Sequence, residues 1–193
     1  MKFSQRVAGY LPGLVIAGFL VGAPVFAQDV APIQAGHRAP NFATTTLDGQ
    51  HFTLKSLRGH VVLLDIWATW CGPCRMSTPT IESLDKTFHA KGLRVVGLSL
   101  DDPGARSSIH DFINTFGVTY TLAYAPKVNE RIAMRYNDDF DPDQSRESLG
   151  HPVPPAVYLI DQKGIVRWSQ IGYSLDEKQV LTPMIKKLLS MHR

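Results

Sequence analysis

The sequence predicts one α/β domain with a mixed β-sheet, and three observations favour this fold class. Two short apolar runs, residues 61–68 and 93–100, are typical of central strands buried on both faces. Segments with apolar residues at helical spacing alternate with these runs. The chain then closes with a pair of strands and a last helix, an order that makes the sheet mixed. With 193 residues, 44% of them apolar, the chain can bury a core as a single domain.

The N-terminal half contains a hairpin, a strand and a long helix. Residues 42–47 and 51–54 alternate in polarity around Asp48-Gly49, which is a two-residue hairpin signal. The apolar run 61–68 follows as the first central strand. From residue 71 to about 91, apolar residues recur at helical spacing, and Gly92 is a suitable helix stop.

The second half continues the alternation without an internal repeat or a second domain. Its predicted elements are, in order, a strand at 93–100, a helix at 105–116, a strand at 119–124, a short helix at 127–136, a polar acidic loop at 137–154, strands at 156–160 and 165–170, and a helix from about 175 to 191. Because proline disturbs helices, Pro183 is expected to kink or break the last one.

The first 27 residues predict a signal peptide. Lys2 and Arg6 form a positive n-region, residues 11–21 are largely apolar, and Val-Phe-Ala at 25–27 suits a cleavage site. We expect cleavage after Ala27, which leaves residues 28–193 as the mature domain in the periplasm. The alternative is an uncleaved inner-membrane anchor facing the periplasm, because residues 7–27 carry no charge and are about long enough to cross a bilayer.

The charge balance excludes nucleic acid as an expected partner. The leader contributes Lys2 and Arg6 to the 20 basic residues, so the rest of the chain has 18 against 17 acidic ones. A nearly neutral body provides no electrostatic attraction for a phosphate backbone. We expect a monomer that needs no cofactor.

The chain has two cysteines, Cys71 and Cys74, and their spacing points to chemistry. A disulfide between them closes a very small ring and constrains little of the unfolded chain, so it would be a poor structural staple. A closed zinc site needs about four ligands, and no second cysteine pair supplies them. The pair therefore predicts a redox-active dithiol and no metal site.

The position of the pair assigns a role to each thiol. Cys71 follows a buried strand and stands at the start of a helix, where free N–H groups and the helix dipole stabilise a thiolate. Since the thiolate is the attacking species, Cys71 is the predicted nucleophile. Cys74, one helical turn further, is the predicted resolving thiol.

Asp65 interrupts the apolar run of the first central strand. An ionised carboxylate in a core is costly, so its pKa is expected to be raised. Lying six residues before Cys71, it is placed to accept the proton of Cys74 as that thiol attacks. The alternative is a structural acid with satisfied hydrogen bonds.

The segment Asp65-Ile-Trp-Ala-Thr-Trp-Cys-Gly-Pro-Cys-Arg75, followed by Pro79, resembles thioredoxin. Ala39-Pro-Asn-Phe, Leu47-Asp-Gly, Leu57-Arg-Gly and Leu159-Ile-Asp resemble the TlpA/ResA-like group of exported, redoxin-related proteins with a thioredoxin fold. The resemblance covers about residues 36–190. It implies a mixed sheet flanked by helices, with an N-terminal β-hairpin and an inserted helix–strand unit. It also implies thiol–disulfide oxidoreductase activity on protein disulfides, with a membrane protein as electron donor.

The resemblance also assigns substrate-binding residues. Pro155 matches the cis-proline that packs beside the dithiol in this group, and Gly172 matches a glycine that lets a substrate backbone approach. Trp70 matches the aromatic residue that shields the site, whereas Trp67 is expected to be a core residue. Gly72 and Pro73, between the cysteines, complete the predicted contact surface.

Four departures from the group are visible. Ser77 replaces a glutamate that many of its reductases carry, which leaves the acid role to Asp65 alone, and Gly97 replaces a lysine of thioredoxin. Pro154 cannot donate the backbone N–H that this position lends to substrates. The segment from residue 136 to 155 is about a dozen residues longer than usual. Its aspartates at 139, 141 and 143 resemble a calcium loop, but Gln144 replaces the required glycine, so we interpret it as a solvated acidic loop that borders the substrate cleft.

The leading functional prediction is a reductase of protein disulfides outside the cytoplasm, because Gly-Pro between the cysteines resembles thioredoxin. An oxidase or isomerase would use the same chemistry in another direction. A copper chaperone is the contrasting class, with Cys71, Cys74 and His151 as ligands for Cu(I).

Overall fold

The computed structural model describes residues 32–137 and 154–191. The predicted signal peptide, its alternative as an anchor, His151 and most of the acidic loop lie outside these residues. Within them, no helix is long and apolar enough to cross a membrane.

The strands and helices follow the predicted order. They are β1 (Ala43–Thr45), β2 (His51–Thr53), β3 (Val61–Trp67), α1 (Gly72–Phe88), β4 (Leu93–Ser99), α2 (Arg106–Phe116), β5 (Thr121–Ala123), α3 (Pro126–Asn137), β6 (Ala156–Ile160), β7 (Val166–Ile171) and α4 (Glu177–Ser190). Short 3₁₀ turns follow β2 and α1. Gly92, with a left-handed backbone, ends the second turn as the sequence predicts.

The central sheet has the strand order β5-β4-β3-β6-β7. β3, β4 and β5 are parallel, whereas β6 is antiparallel to β3 and β7 to β6. The mixed sheet is therefore confirmed, and with the β1–β2 hairpin and the α2–β5 unit inserted between β4 and β6 the architecture is a thioredoxin fold.

The two faces of β3 contribute to two apolar layers, because successive side chains of a strand point to opposite sides. Val61, Leu63 and Trp67 pack with residues of α1, α2 and α4. Val62, Leu64 and Ile66 pack with residues of α3 and of the N-terminal segment. Every residue of β3 is buried, as expected for a central strand. By this alternation Asp65 points to the layer that contains α1 and α4.

The predicted hairpin loop is wrong, and of the kink or break expected at Pro183 the break does not occur. The hairpin loop has three residues, Leu47, Asp48 and Gly49, rather than two. Thr46 and Gln50 still pair, because the N–H of Thr46 donates to the carbonyl of Gln50 at 2.9 Å. Helix α4 also continues past Pro183 without a break. Pro183 lies on the exposed side, and buried residues before and after it, Leu181 and Ile185, hold both halves on the core.

Gly97 on β4 pairs with Asp65 on β3, and the structure leaves no room for a side chain there. A Cβ atom would lie 2.6 Å from Leu122 Cδ2 and 2.8 Å from Trp67 Nε1. Gly97→Ala should therefore lower the free energy of unfolding by about 1–3 kcal/mol, the usual cost of overpacking a core. Urea unfolding of the oxidised protein measures it. Gly72→Ala, where a Cβ meets open space, is the control; equal stability of the two variants would contradict the packing argument.

Candidate active site

The two cysteines lie where β3 gives way to α1. Cys71 is the N-cap of α1, and its Sγ accepts a hydrogen bond from the backbone N–H of Cys74 at 3.1 Å. The pair forms a disulfide with an S–S distance of 2.01 Å. A sulfur at this position faces the unpaired N–H groups of the helix, so a thiolate on Cys71 is stabilised in the reduced protein.

The surface over the disulfide is made by residues beside it rather than by the sulfurs. Cys71 and Cys74 are 4% and 2% exposed, whereas Trp70 is 65% exposed and both Gly72 and Pro73 are exposed. Trp67, as predicted, is a core residue. A groove of about 500 Å³ runs beside the indole, lined by Trp70, Leu100, Asp101, Asp102, Pro103, Pro126, Lys127 and Glu130. The exposed residues next to the disulfide in sequence are therefore Trp70, Gly72 and Pro73.

Asp101 fixes the segment that leads into the dithiol, and sequence reasoning missed it. Its carboxylate accepts the backbone N–H of Thr69 at 3.1 Å and the Thr69 hydroxyl at 2.6 Å. Ser99 donates a further bond at 2.8 Å. β3 and β4 are parallel, so their carboxyl ends meet at one edge of the sheet, and an acid directly after a buried strand was the available signal.

Asp65 is 3% exposed and lies below the dithiol helix, on the face of β3 that packs against α1 and α4. Burial raises its pKa from 3.8 to about 8, the charge of Glu177 adds to the increase, and a hydrogen bond with Tyr120 opposes it. The raised pKa expected from the sequence is therefore present. Asp65 is therefore mostly protonated at neutral pH in the oxidised protein.

A second buried acid, Glu177 on α4, was not foreseen. It is 1% exposed, and the Ser77 hydroxyl donates to its Oε2 at 3.0 Å. Burial raises the pKa of Glu177, and the bond from Ser77 opposes this increase. The sequence left the acid role to Asp65 alone because Ser77 and Glu177 are 100 residues apart, and no local pattern links them.

The predicted proline pair lies at the same edge of the sheet as the dithiol. The Pro154–Pro155 peptide bond is cis, as the resemblance implies. β6 starts at Ala156, which pairs with Ile66 near the end of β3, so Pro155 is close to the exit of that strand. Gly172 donates its N–H to the carbonyl of Pro155 at 2.8 Å and has a positive φ of 83°, which explains why it is glycine.

No group of three or more potential metal ligands occurs among residues 32–137 and 154–191. His151, the third ligand of the copper alternative, lies outside those residues. The described site brings together the Cys71–Cys74 disulfide and two buried acids, Asp65 and Glu177.

Comparison with known proteins identifies the family. The sequence model of the redoxin domain matches residues 34–183. The chain belongs to the redoxin family. A Bacillus thuringiensis relative, the thiol-disulfide oxidoreductase ResA, is 34% identical over 163 residues, covering 84% of this chain and 83% of the relative. The thioredoxin-like protein YneN of Bacillus subtilis is 30% identical, covering 72% of this chain and 73% of YneN.

A solved structure agrees with this assignment. A Chlorobium tepidum protein, provisionally assigned as the thiol:disulfide interchange protein DsbE, superposes with a TM-score of 0.64 at 29% identity. The match covers 81% of this chain and 98% of that protein. This redoxin-family chain is accordingly a thiol–disulfide oxidoreductase of the ResA-like type, with Cys71–Cys74 as its disulfide.

Asp65 makes the stability of the oxidised protein depend on pH. Its folded pKa of about 8 lies above the unfolded value, so the folded state holds the extra proton between about pH 4 and 8. The free energy of unfolding should fall as pH rises through this window, by at most about 1.4 kcal/mol per pH unit from this group. Asp65→Asn should flatten the dependence, which urea unfolding at several pH values measures. If the free energy of unfolding falls with pH as steeply in Asp65→Asn as in the parent, this explanation is contradicted.

Proposed function

We propose that this redoxin-family protein reduces disulfide bonds of other proteins outside the cytoplasm. The observation that carries the proposal is the placement of Cys71. Its sulfur caps α1 and accepts an N–H from that helix, while a buried acid lies below the same helix. One sulfur is thereby prepared as a thiolate and the other has a nearby proton acceptor.

The reaction follows from these positions. The Cys71 thiolate attacks one sulfur of the substrate disulfide, and the other substrate sulfur leaves as a thiolate that takes a proton from solvent. In molecules whose Asp65 carboxyl is ionised, Cys74 then gives its proton to Asp65, and its thiolate attacks the sulfur of Cys71. The Cys71–Cys74 disulfide forms, the second substrate sulfur leaves, and the dithiol has lost two electrons to the substrate.

The charges near the dithiol favour the reducing direction. A strongly oxidising dithiol depends on a reduced form with a very stable thiolate, which cationic neighbours provide. Here the helix is the stabilising feature, and the buried side chains on its inner side include two acids, Asp65 and Glu177. Arg75, next to the pair in sequence, has its guanidinium over the rings of Phe112 and Phe116. Oxidase or isomerase action is the alternative direction of the same exchange.

Substrate contacts are assigned to the surface around the disulfide. The exposed surface that a substrate would contact is assigned to Trp70, Gly72 and Pro73. Its backbone contacts are assigned to Pro154, Pro155 and Gly172. Pro154 offers a carbonyl but no N–H, so a bound substrate strand makes one backbone bond fewer than usual here. The groove beside Trp70 is the nearest depression that can take a neighbouring substrate side chain.

The location and partners rest on the N-terminal sequence. We assign residues 1–27 to a signal peptide, residues 28–193 to the exported domain, and the protein to the periplasm, with an inner-membrane anchor as the alternative. A reductase in that compartment must be re-reduced after each turnover. We assign this step to a membrane electron-donor protein, and we assign a monomeric state to the enzyme itself.

The two cysteines should behave differently when replaced. Cys71→Ser should abolish reduction of a protein disulfide, because the attacking thiolate is lost. Cys74→Ser should trap the substrate as a mixed disulfide on Cys71, because no thiol resolves it. Non-reducing gels and mass spectrometry after incubation with an oxidised protein detect the adduct. A complex trapped on Cys74 in Cys71→Ser, and none in Cys74→Ser, would reverse the assignment.

The reduction potential of the Cys71–Cys74 pair distinguishes a reductase from an oxidase. Equilibration with dithiothreitol or glutathione buffers should give a value below about −200 mV, on thioredoxin's side of the range of this fold. The buried acids oppose extra negative charge, so they weaken the thiolate form on which a strong oxidant depends. A potential near about −120 mV would identify an oxidase and contradict the proposed direction.

A further inference from the structure

The carboxyl group of Glu177 has a buried oxygen that the fold leaves unpaired. Oε2 accepts the hydroxyl of Ser77, but Oε1 is buried without a hydrogen-bond partner among the residues that the structure describes. Burying an unpaired polar atom costs about 1–3 kcal/mol. A hydrophobic side chain at this position would avoid that cost, so the acid calls for a functional explanation.

The position of Glu177 points to the dithiol. Its partner Ser77 lies three residues after Cys74 on α1, and residues at this spacing share one helix face. Ser77 and Cys74 are both 2% exposed, so this face is the one that packs inward. Asp65 points into the same layer from β3. The two acids therefore reach the inner face of the dithiol helix from the sheet and from α4.

We propose that Glu177 is a positioning residue of the redox site: its carboxyl group and that of Asp65 form one coupled pair, and the protonation of Glu177 decides when Asp65 can take the proton of Cys74. A neutral Glu177 leaves Asp65 free to ionise and act as the acceptor. An ionised Glu177 holds the proton on Asp65 and so withholds the acceptor. The purpose assigned to the coupling rests on the proposed reduction of disulfides. The electrostatic coupling between the two carboxyl groups does not depend on that proposal.

The electrostatics agree with this geometry. The charge of Glu177 is the second cause, after burial, of the raised pKa of Asp65. Burial, and not the charge of Asp65, raises the pKa of Glu177, as expected if Asp65 is still protonated when Glu177 ionises. Removing the Glu177 carboxyl therefore changes the titration of Asp65, the group that ionises second.

One titratable neighbour, Tyr120, binds a member of the pair, and the other charged groups around the pair have other partners. Tyr120, which hydrogen-bonds Asp65, lies just before β5. On α1, Glu82 binds Lys86 at 3.0 Å and Asp85 binds His89 at 3.1 Å. Lys178, beside Glu177 on α4, donates to Ser83. In β4 and β6 the residues that pair with Asp65 are Gly97 and Val157, which do not titrate.

The test is a carboxyl titration of the oxidised protein by carbon-13 NMR, comparing the parent with Glu177→Gln. Glutamine has the same shape and keeps an oxygen to accept the Ser77 hydroxyl, so the packing is preserved while the charge is lost. The titration midpoint of Asp65 should fall by at least about 0.5 pH unit. In single-turnover experiments, the pH midpoint for Cys74 attack on a mixed disulfide should fall with it.

Asp85→Asn is the matched control, because it removes a buried carboxyl, here on α1, that is not among the groups acting on Asp65. Its Asp65 midpoint should equal that of the parent. Glu177→Met, which also removes the charge, serves if Glu177→Gln fails to fold. An Asp65 midpoint that is unchanged when the Glu177 charge is removed would overturn the coupling. The NMR titration needs no substrate, so its result can be interpreted even if the proposed reductase activity is not found.

Discussion

The burial of Asp65 is the constraint on which the site depends. A carboxyl group in the middle of an apolar strand is tolerated because it can remain protonated, and its pKa of about 8 reflects this. Its neighbours are consistent with that environment: Gly97 on one side leaves no space for a charged partner, and Val157 on the other is apolar. β3 cannot shift by one residue without moving the acid to the opposite layer. The same strand leads directly into the dithiol, so the register of the sheet places acid and cysteines together.

The outer side of the dithiol is organised by backbone groups. Cys71 caps α1 and receives an N–H from it, and Asp101 holds Thr69 through three hydrogen bonds just before the pair. We propose that this arrangement gives the thiols separate roles, with Cys71 at the helix end as the nucleophile and Cys74 as the resolving thiol.

Most of the fold was predictable because its signals are local. The buried strands β3 and β4 show as apolar runs, α1 shows helical spacing up to Gly92, and the resemblance implied the cis peptide at Pro155. The hairpin loop was missed by one residue because Asp48-Gly49 fits either loop length, and the pairing of Thr46 with Gln50 decides it. Pro183 does not break α4 because packing on both sides of a proline can hold a helix together.

The candidate site was predictable only where its residues are close in sequence. Cys71, Cys74 and Asp65 lie on one strand–helix segment, so their spacing suggested their relation. The place of Glu177 in the site could not be predicted, because its partner Ser77 is 100 residues away and belongs to another helix. Asp101 follows a different strand from the one it supports. Contacts of this kind depend on the packing of the whole domain, and a single sequence does not contain that information in a local form.

The central claim is that the helix end and the buried acids give the two thiols different acidities. The most direct measurement is the alkylation rate of each cysteine in the reduced protein as a function of pH, resolved by mass spectrometry. The account predicts that Cys71 reacts first, with a midpoint below about 8.5, the ordinary value for a free thiol, and that Cys74 reacts only at higher pH. If Cys74 reacts first, or both thiols share a midpoint near 8.5, the account is wrong.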